Sequence, residues 1–177
     1  MRIIAGRFGG RPISAPVGRE TRPTADRVRE ALFSMLGPLD GFEALDLFAG
    51  SGALGLEAIS RGAKSVDFVD VSDSAIRTLE RNIGSLGVVA AVHRRDALAF
   101  LAGAAQLGRS WDVVFVDPPY SSASRLPEAL AERLRPVLRE PAMVVTESDK
   151  RSPLQLGLPT FREREYGDTR IVIHLGG

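Results

Sequence analysis

The sequence predicts an α/β domain built on a mostly parallel sheet that ends in an antiparallel hairpin. Three observations carry this expectation. Apolar runs of strand length alternate with amphipathic stretches of helix length from residue 44 to residue 146. A glycine-rich loop, Gly50-Ser51-Gly52-Ala53-Leu54-Gly55, follows the first of these runs. After the last, two strand-like segments flank Gly167-Asp168 with no helix between them.

Composition narrows the class. The 177 residues are 44% hydrophobic and 25% charged, ordinary for a globular chain. No apolar run reaches the ~18 residues of a membrane span, and the N-terminus lacks the apolar stretch of a signal peptide. There is no cysteine, so neither a disulfide framework nor a thiolate metal site is available. His93 and His174 are isolated, which leaves no histidine metal site. A cytoplasmic, metal-free monomer is expected. The net charge of +1 hides an asymmetry. Arg2, Arg7, Arg11, Arg19, Arg22, Arg27 and Arg29 crowd the first 29 residues against only Glu20 and Asp26, and the remainder is mildly acidic. A basic arm on an acidic body fits a polyanionic partner.

The elements follow in order. Residues 1–20 read as a basic arm, with Arg2-Ile3-Ile4 and Arg11-Pro12-Ile13 as two short strands lying on or projecting from the domain of residues 21–177. Thr24 suits an N-cap, Asp26 suits the helix dipole, and Val28, Ala31, Leu32, Met35 and Leu36 form one apolar face before Gly37-Pro38. Arg22, Arg27 and Arg29 are left for solvent or phosphate. Strands are expected at 44–49, 65–71, 88–92, 112–116 and 142–146. Helices are expected at 53–61, 72–86, from Asp96 toward 107, and at 127–138 with a break near Pro136. Segments 160–166 and 169–175 complete seven strands.

The glycine loop satisfies G-x-G-x-x-G, a weak signal alone. Asp70, closing the second strand about 20 residues on, suits the two hydroxyls of a ribose. Together they point to an adenosine-type cofactor. Asp46, just before the loop, would repel a pyrophosphate and suits a ligand carrying ammonium and sulfonium charges. It also suits hydrogen bonds to loop amides. Asp96-Ala97 could take an adenine amino group or simply cap a helix. Val71 is an adenine wall or strand core. The candidate cofactor contacts are therefore Asp46, Phe48, Gly50, Ser51, Gly52, Asp70, Val71, Asp96, Ala97 and Asp117, with S-adenosylmethionine the favoured ligand.

Asp117-Pro118-Pro119-Tyr120 follows the fourth strand, at the end where open α/β sheets place their chemistry. An exocyclic base amine is conjugated to its ring and a poor nucleophile. Fixed acceptors for its two protons favour pyramidal nitrogen and aim its lone pair. Asp117 offers a carboxylate and Pro118 a carbonyl. Tyr120 can stack on the base for roughly 1–3 kcal/mol. A base must be single-stranded or flipped to reach such a pocket. Residues 121–124 are expected to form a mobile loop beside it.

At this point the chain resembles a known family. Arg22-Pro23-Thr24-x-Asp26-Arg27-Val28-Arg29-Glu30, the stretch from Asp46 to Ala58, Ser60-Arg61-Gly62-Ala63, Asp117-Pro118-Pro119-Tyr120 and the opening Met1-Arg2-Ile3-Ile4-Ala5-Gly6 look like the bacterial 16S ribosomal RNA guanine-N2 methyltransferases. The resemblance implies a Rossmann-like class I S-adenosylmethionine-dependent fold. It further implies methylation of a guanine amine in ribosomal RNA, on an assembling small subunit rather than free RNA. Arg2, Arg7, Arg11, Arg22, Arg27 and Arg29 are the candidate RNA contacts. The family often has glutamate at position 70 and phenylalanine at position 120. A shorter acid still reaches a ribose, and tyrosine still stacks.

Other readings stay open on the residues alone. A DNA adenine-N6 or cytosine-N4 methylase uses the same tetrapeptide, but no separate sequence-reading domain is visible. A protein-amide methylase fits the arm's charge less well. A nicotinamide oxidoreductase shares the glycine loop, but leaves Asp46 and the Pro-Pro-Tyr cluster unexplained. A non-catalytic RNA-binding assembly factor would show broken cofactor positions, yet Asp46, Gly50, Gly52 and Asp70 all stand.

Overall fold

The structure is a computed structural model that describes residues 1–15, 24–119 and 126–176. Among them seven strands form one sheet: β1 (Glu43–Leu47), β2 (Ser65–Asp70), β3 (Ala91–Arg94), β4 (Trp111–Val116), β5 (Leu138–Asp149), β6 (Thr160–Tyr166) and β7 (Thr169–Gly176). Their order is β3-β2-β1-β4-β5-β7-β6. The first five are parallel, and β7 runs antiparallel between β5 and β6. The helices are α1 (Thr24–Leu36), α2 (Ala53–Ser60), α3 (Asp73–Leu86), α4 (Ala97–Gln106) and α5 (Leu126–Leu134). The expected mostly parallel, seven-stranded sheet with its terminal hairpin is the observed architecture.

Each sheet face carries its own core, which is why the parallel strands read as continuous apolar runs. One core joins Leu32 and Phe33 of α1 and Leu56 of α2 to Phe68, Val113, Phe115 and Val145. The other packs Phe100, Leu101, Leu130 and Leu134 of α4 and α5 on Leu45, Val69, Val114 and Val144. Helix ends follow local chemistry. Ser72 caps α3 by accepting the Ala75 amide at 3.4 Å, and Gly87 closes that helix in the left-handed region. The Val88 amide still bonds back to Ile83, so the third strand starts at Ala91 rather than at 88. Leu138 begins β5 instead of ending a helix, because the chain after Leu134 tightens into a short 3-10 turn with Pro136. Thr24 is itself the first residue of α1.

The arm is more deeply embedded than its composition implies. Its two strands reduce to one antiparallel bridge, Arg2 with Pro12. Ile3, Phe8 and Ile13 are all buried in the main core. Glu57, fully buried in α2, docks the arm: its carboxylate accepts the Ile4 amide at 2.7 Å and the Ala5 amide at 3.1 Å, and pairs with Arg61 at 2.6 Å. Ser60 accepts the Phe8 amide at 2.9 Å. Gly6 allows this approach, since a Cβ there would lie 1.9 Å from the Ser60 carbonyl oxygen and φ is +79°. Glu57→Ala would leave two amides and Arg61 uncompensated, so a loss of about 3–5 kcal/mol is expected in urea unfolding. Proteolysis within residues 1–15 should rise with it.

Candidate active site

The strand order reverses between β1 and β4, where open α/β sheets bind ligands at the carboxyl ends of their strands. Ala44, Phe68, Phe115 and Val145 all belong to the core under α1 and α2. Side chains two residues on share their face. Those residues are Asp46, Asp70, Asp117 and Glu147. Strand pairing orders them Asp70, Asp46, Asp117, Glu147 across the sheet: Asp117 follows the Val116–Thr146 pair level with Glu147, while Asp46, paired with Phe68 and Phe115, lies two residues deeper than Asp70 and Asp117. Four acids thus cross four neighbouring strands along one edge of one face.

The first two acids organise the glycine loop. Asp70 accepts the Gly50 amide and the Ser72 amide, each at 2.8 Å, one on each oxygen. Asp46 is 2% exposed and accepts the Gly55 amide at 2.9 Å. Burial above all, with the charges of Asp117 and Asp70 behind it, pushes the Asp46 carboxyl well above the usual carboxylate range, against the pull of the Gly55 amide. A buried acid crowded by two others suits a positively charged ligand and repels a pyrophosphate. Gly50 and Gly52 turn the loop at φ values of 57° and 79°. Phe48 sits at φ 62° without being glycine, a conformation costing about 1–2 kcal/mol and concentrated at ligand sites. Ser51 is buried, and its carbonyl accepts the Asn82 side-chain amide at 2.9 Å. Val71 is 72% exposed at the end of β2, an apolar surface available to an adenine ring. Asp96 caps α4 by accepting the Ala99 amide at 2.9 Å, so the capping reading of that residue holds; the Ala97 side chain is buried.

Asp117 and Pro118 are half-buried beyond β4, and Pro119 is exposed. Tyr120, the loop at 121–124 and Arg22 lie outside the described residues. A separate cleft of about 530 Å³ between α1 and β6, lined in part by Met35, Arg162 and Tyr166, contains none of the four acids. Among the described residues no group of three or more His, Cys, Asp or Glu is placed to hold a metal ion. No helix among them is long and apolar enough to cross a membrane.

Of the arm's candidate RNA contacts, Arg2, Arg7, Arg11 and Arg27 are exposed. Arg7 and Arg11 lie over the Phe8 ring, 5.0 and 6.0 Å from its centroid. Arg11 also donates to the Ser85 carbonyl at 2.7 Å, which lays the arm against α3. Arg29 departs from expectation. It is 4% exposed, donates to the Arg2 carbonyl and to Asp26, and pairs with Glu57. It shares the inward face of α1 with Phe33, four residues on, so it braces the arm from within and is not presented to solvent.

Residues 1–175 match the family described as conserved hypothetical protein 95. The chain belongs to that family. It is 39% identical to a Bacillus subtilis protein named putative rRNA methyltransferase YlbH, covering 98% of each chain. It is 43% identical over 122 residues to the Escherichia coli protein named ribosomal RNA small subunit methyltransferase D, covering 68% of this chain and 60% of that one. The solved structure of an Escherichia coli protein described as putative methyltransferase yhhF superposes with a TM-score of 0.85 at 34% identity, over 99% of this chain and 97% of the other. The fold is that of the class I methyltransferases.

Two residues of the site escaped sequence reasoning. Glu57 had a signal, as the one charged residue within the apolar helix Ala53–Ser60. Glu147 had only its place in the alternation of β5, which gains meaning once the register sets it beside Asp117.

Proposed function

We propose that this protein transfers a methyl group from S-adenosylmethionine to the exocyclic N2 amine of a guanine in 16S ribosomal RNA, on small-subunit particles in the cytoplasm, acting as a monomer. The observation that carries this reading is the acid row across the strand-order reversal, with Asp46 on one side and Asp117-Pro118 on the other. The names of the relatives support ribosomal RNA as the acceptor.

Bound S-adenosylmethionine supplies an electrophilic methyl group on a sulfonium centre. The chain's residues do the rest. Asp46 balances the ligand's positive charge, Asp70 takes ribose hydroxyls, and Gly50 and Gly52 give the loop its tight turn, with Gly52 packed against Leu79 where a Cβ would clash. Val71 covers the adenine. The Asp117 carboxylate and the Pro118 carbonyl accept hydrogen bonds from the two amine N–H groups, so the nitrogen lone pair is turned out of conjugation and aimed at the methyl group, and the proton the nitrogen sheds on methylation leaves by way of the Asp117 carboxylate. Much of the rate then comes from positioning. Exposed Arg2, Arg7, Arg11 and Arg27, together with Arg22, hold the flanking phosphates while the base enters.

The reading is tested by offering the protein S-adenosylmethionine labelled in its methyl group with three acceptors: deproteinised 16S RNA, small-subunit particles and duplex DNA. Label is expected in ribosomal RNA, preferentially on particles, and not in DNA. Label confined to DNA would support the DNA-amine methylase instead.

A further inference from the structure

Glu147 is a half-buried acid on the reacting edge that the mechanism above leaves without a task. It stands one residue beyond the Val116–Thr146 pair, on the strand next to Asp117 and on the same face. From β7 it is opposed by apolar Ile171, and from α1 it is faced by the charge of Arg29. Arg29 is already engaged by Asp26, Glu57 and the Arg2 carbonyl. Glu147 is therefore not needed to neutralise that arginine, and a lone second acid beside Asp117 is electrostatically costly unless it is used.

We propose that Glu147 recognises the guanine ring itself, taking the N1–H and O6 edge that adjoins the amine held by Asp117. This inference rests on the guanine reading above and deepens it. In guanine the N2 amine, the N1–H and O6 follow one another along one edge: donor, donor, acceptor. A protonated carboxyl carries one acceptor and one donor. Its C=O accepts N1–H while its O–H donates to O6, the pairing a carboxylic acid makes with a lactam. Burial, followed by the negative charge of Asp117, pushes the Glu147 carboxyl well above its ordinary value, with Arg29 pulling the other way. That shift favours the protonated form, which carries the donor hydrogen. Asp117 and Glu147 divide the edge between them, one acid holding the reacting amine and the other checking the two atoms beside it. Adenine, placed with its amine at Asp117, offers N1 and then C2–H and cannot satisfy both bonds.

The test compares wild type, Glu147→Ala and Glu147→Gln in methyl transfer to small-subunit particles, with S-adenosylmethionine affinity measured alongside by calorimetry. Glutamine is the revealing variant, because its C=O and NH2 reproduce the acceptor and donor of the neutral acid. Glu147→Ala is expected to lose about 100-fold in kcat/KM with cofactor affinity unchanged, and Glu147→Gln to stay within about tenfold of wild type. A Gln variant as inactive as the Ala variant would overturn the proposal and mark Glu147 as a carboxylate base. An Ala variant as active as wild type, or loss of cofactor binding in both variants, would overturn it as well. If wild type itself forms no N2-methylguanosine, the functional reading fails first, and that outcome is distinct from all of these. Should the Ala variant not fold, the Gln variant decides alone, since a near-isosteric neutral side chain leaves the packing intact.

Discussion

Asp117→Ala should lower kcat by about 10²–10³-fold or more while S-adenosylmethionine affinity stays near that of wild type. The reacting amine donates its lone pair into the purine ring, and the enzyme must withdraw it from that conjugation. Two fixed acceptors do this, and alanine removes the charged one. The Pro118 carbonyl alone leaves the nitrogen free to rotate back toward planarity. Cofactor affinity should survive because Asp46 and Asp70, on the other side of the strand-order reversal, carry that half of the site. Removing Asp117 takes one negative charge from the site but also eases ionisation of Asp46, and the two effects oppose each other. Single-turnover methyl transfer with calorimetry separates the two effects. Retained activity would remove Asp117 from the chemistry.

Asp46→Asn should have the opposite signature. Asparagine keeps an oxygen for the Gly55 amide but loses the charge, so S-adenosylmethionine should bind about 10–100-fold more weakly while the fold is as stable as before or more so. A pH signature accompanies this. The Asp46 carboxyl titrates well above its ordinary range in the free protein, mainly through burial. A cationic ligand favours the ionised form, so binding expels a proton wherever the free carboxyl is protonated. Wild-type affinity should therefore rise with pH until that carboxyl is ionised in the free protein, and then level off. Calorimetry in buffers of different ionisation heat counts the proton. The asparagine variant should release none from this site, and unchanged proton release in that variant would assign the titration to another group.

Much of the fold was legible in the sequence because the parallel strands are buried on both faces and read as plain apolar runs, punctuated by Gly50, Gly52 and Gly87. Asp70 and Asp117 were legible because each ends such a run, and Asp46 because it interrupts one four residues before the first glycine of the loop. Glu147 was not, since β5 extends past its apolar stretch to Asp149 and only pairing with β4 reveals what lies opposite. Arg29 was misread for a related reason. The spacing of Val28 and Leu32 left it near the edge of the apolar face, and the arm that covers it contributes backbone carbonyls and amides rather than a recognisable apolar motif. The arm itself looked too sparse for a core. Three apolar side chains suffice because Glu57 and Ser60 fix its backbone.

The most direct measurement of the central claim is the identity of the methylated nucleoside. Small-subunit particles are incubated with the protein and tritiated S-adenosylmethionine, the RNA is digested, and the labelled nucleoside is identified by mass spectrometry, with Asp117→Ala run in parallel. N2-methylguanosine, formed by wild type and absent with the variant, is the expected result. N6-methyladenosine, N4-methylcytosine or a ring-nitrogen methylguanosine in its place would contradict the account.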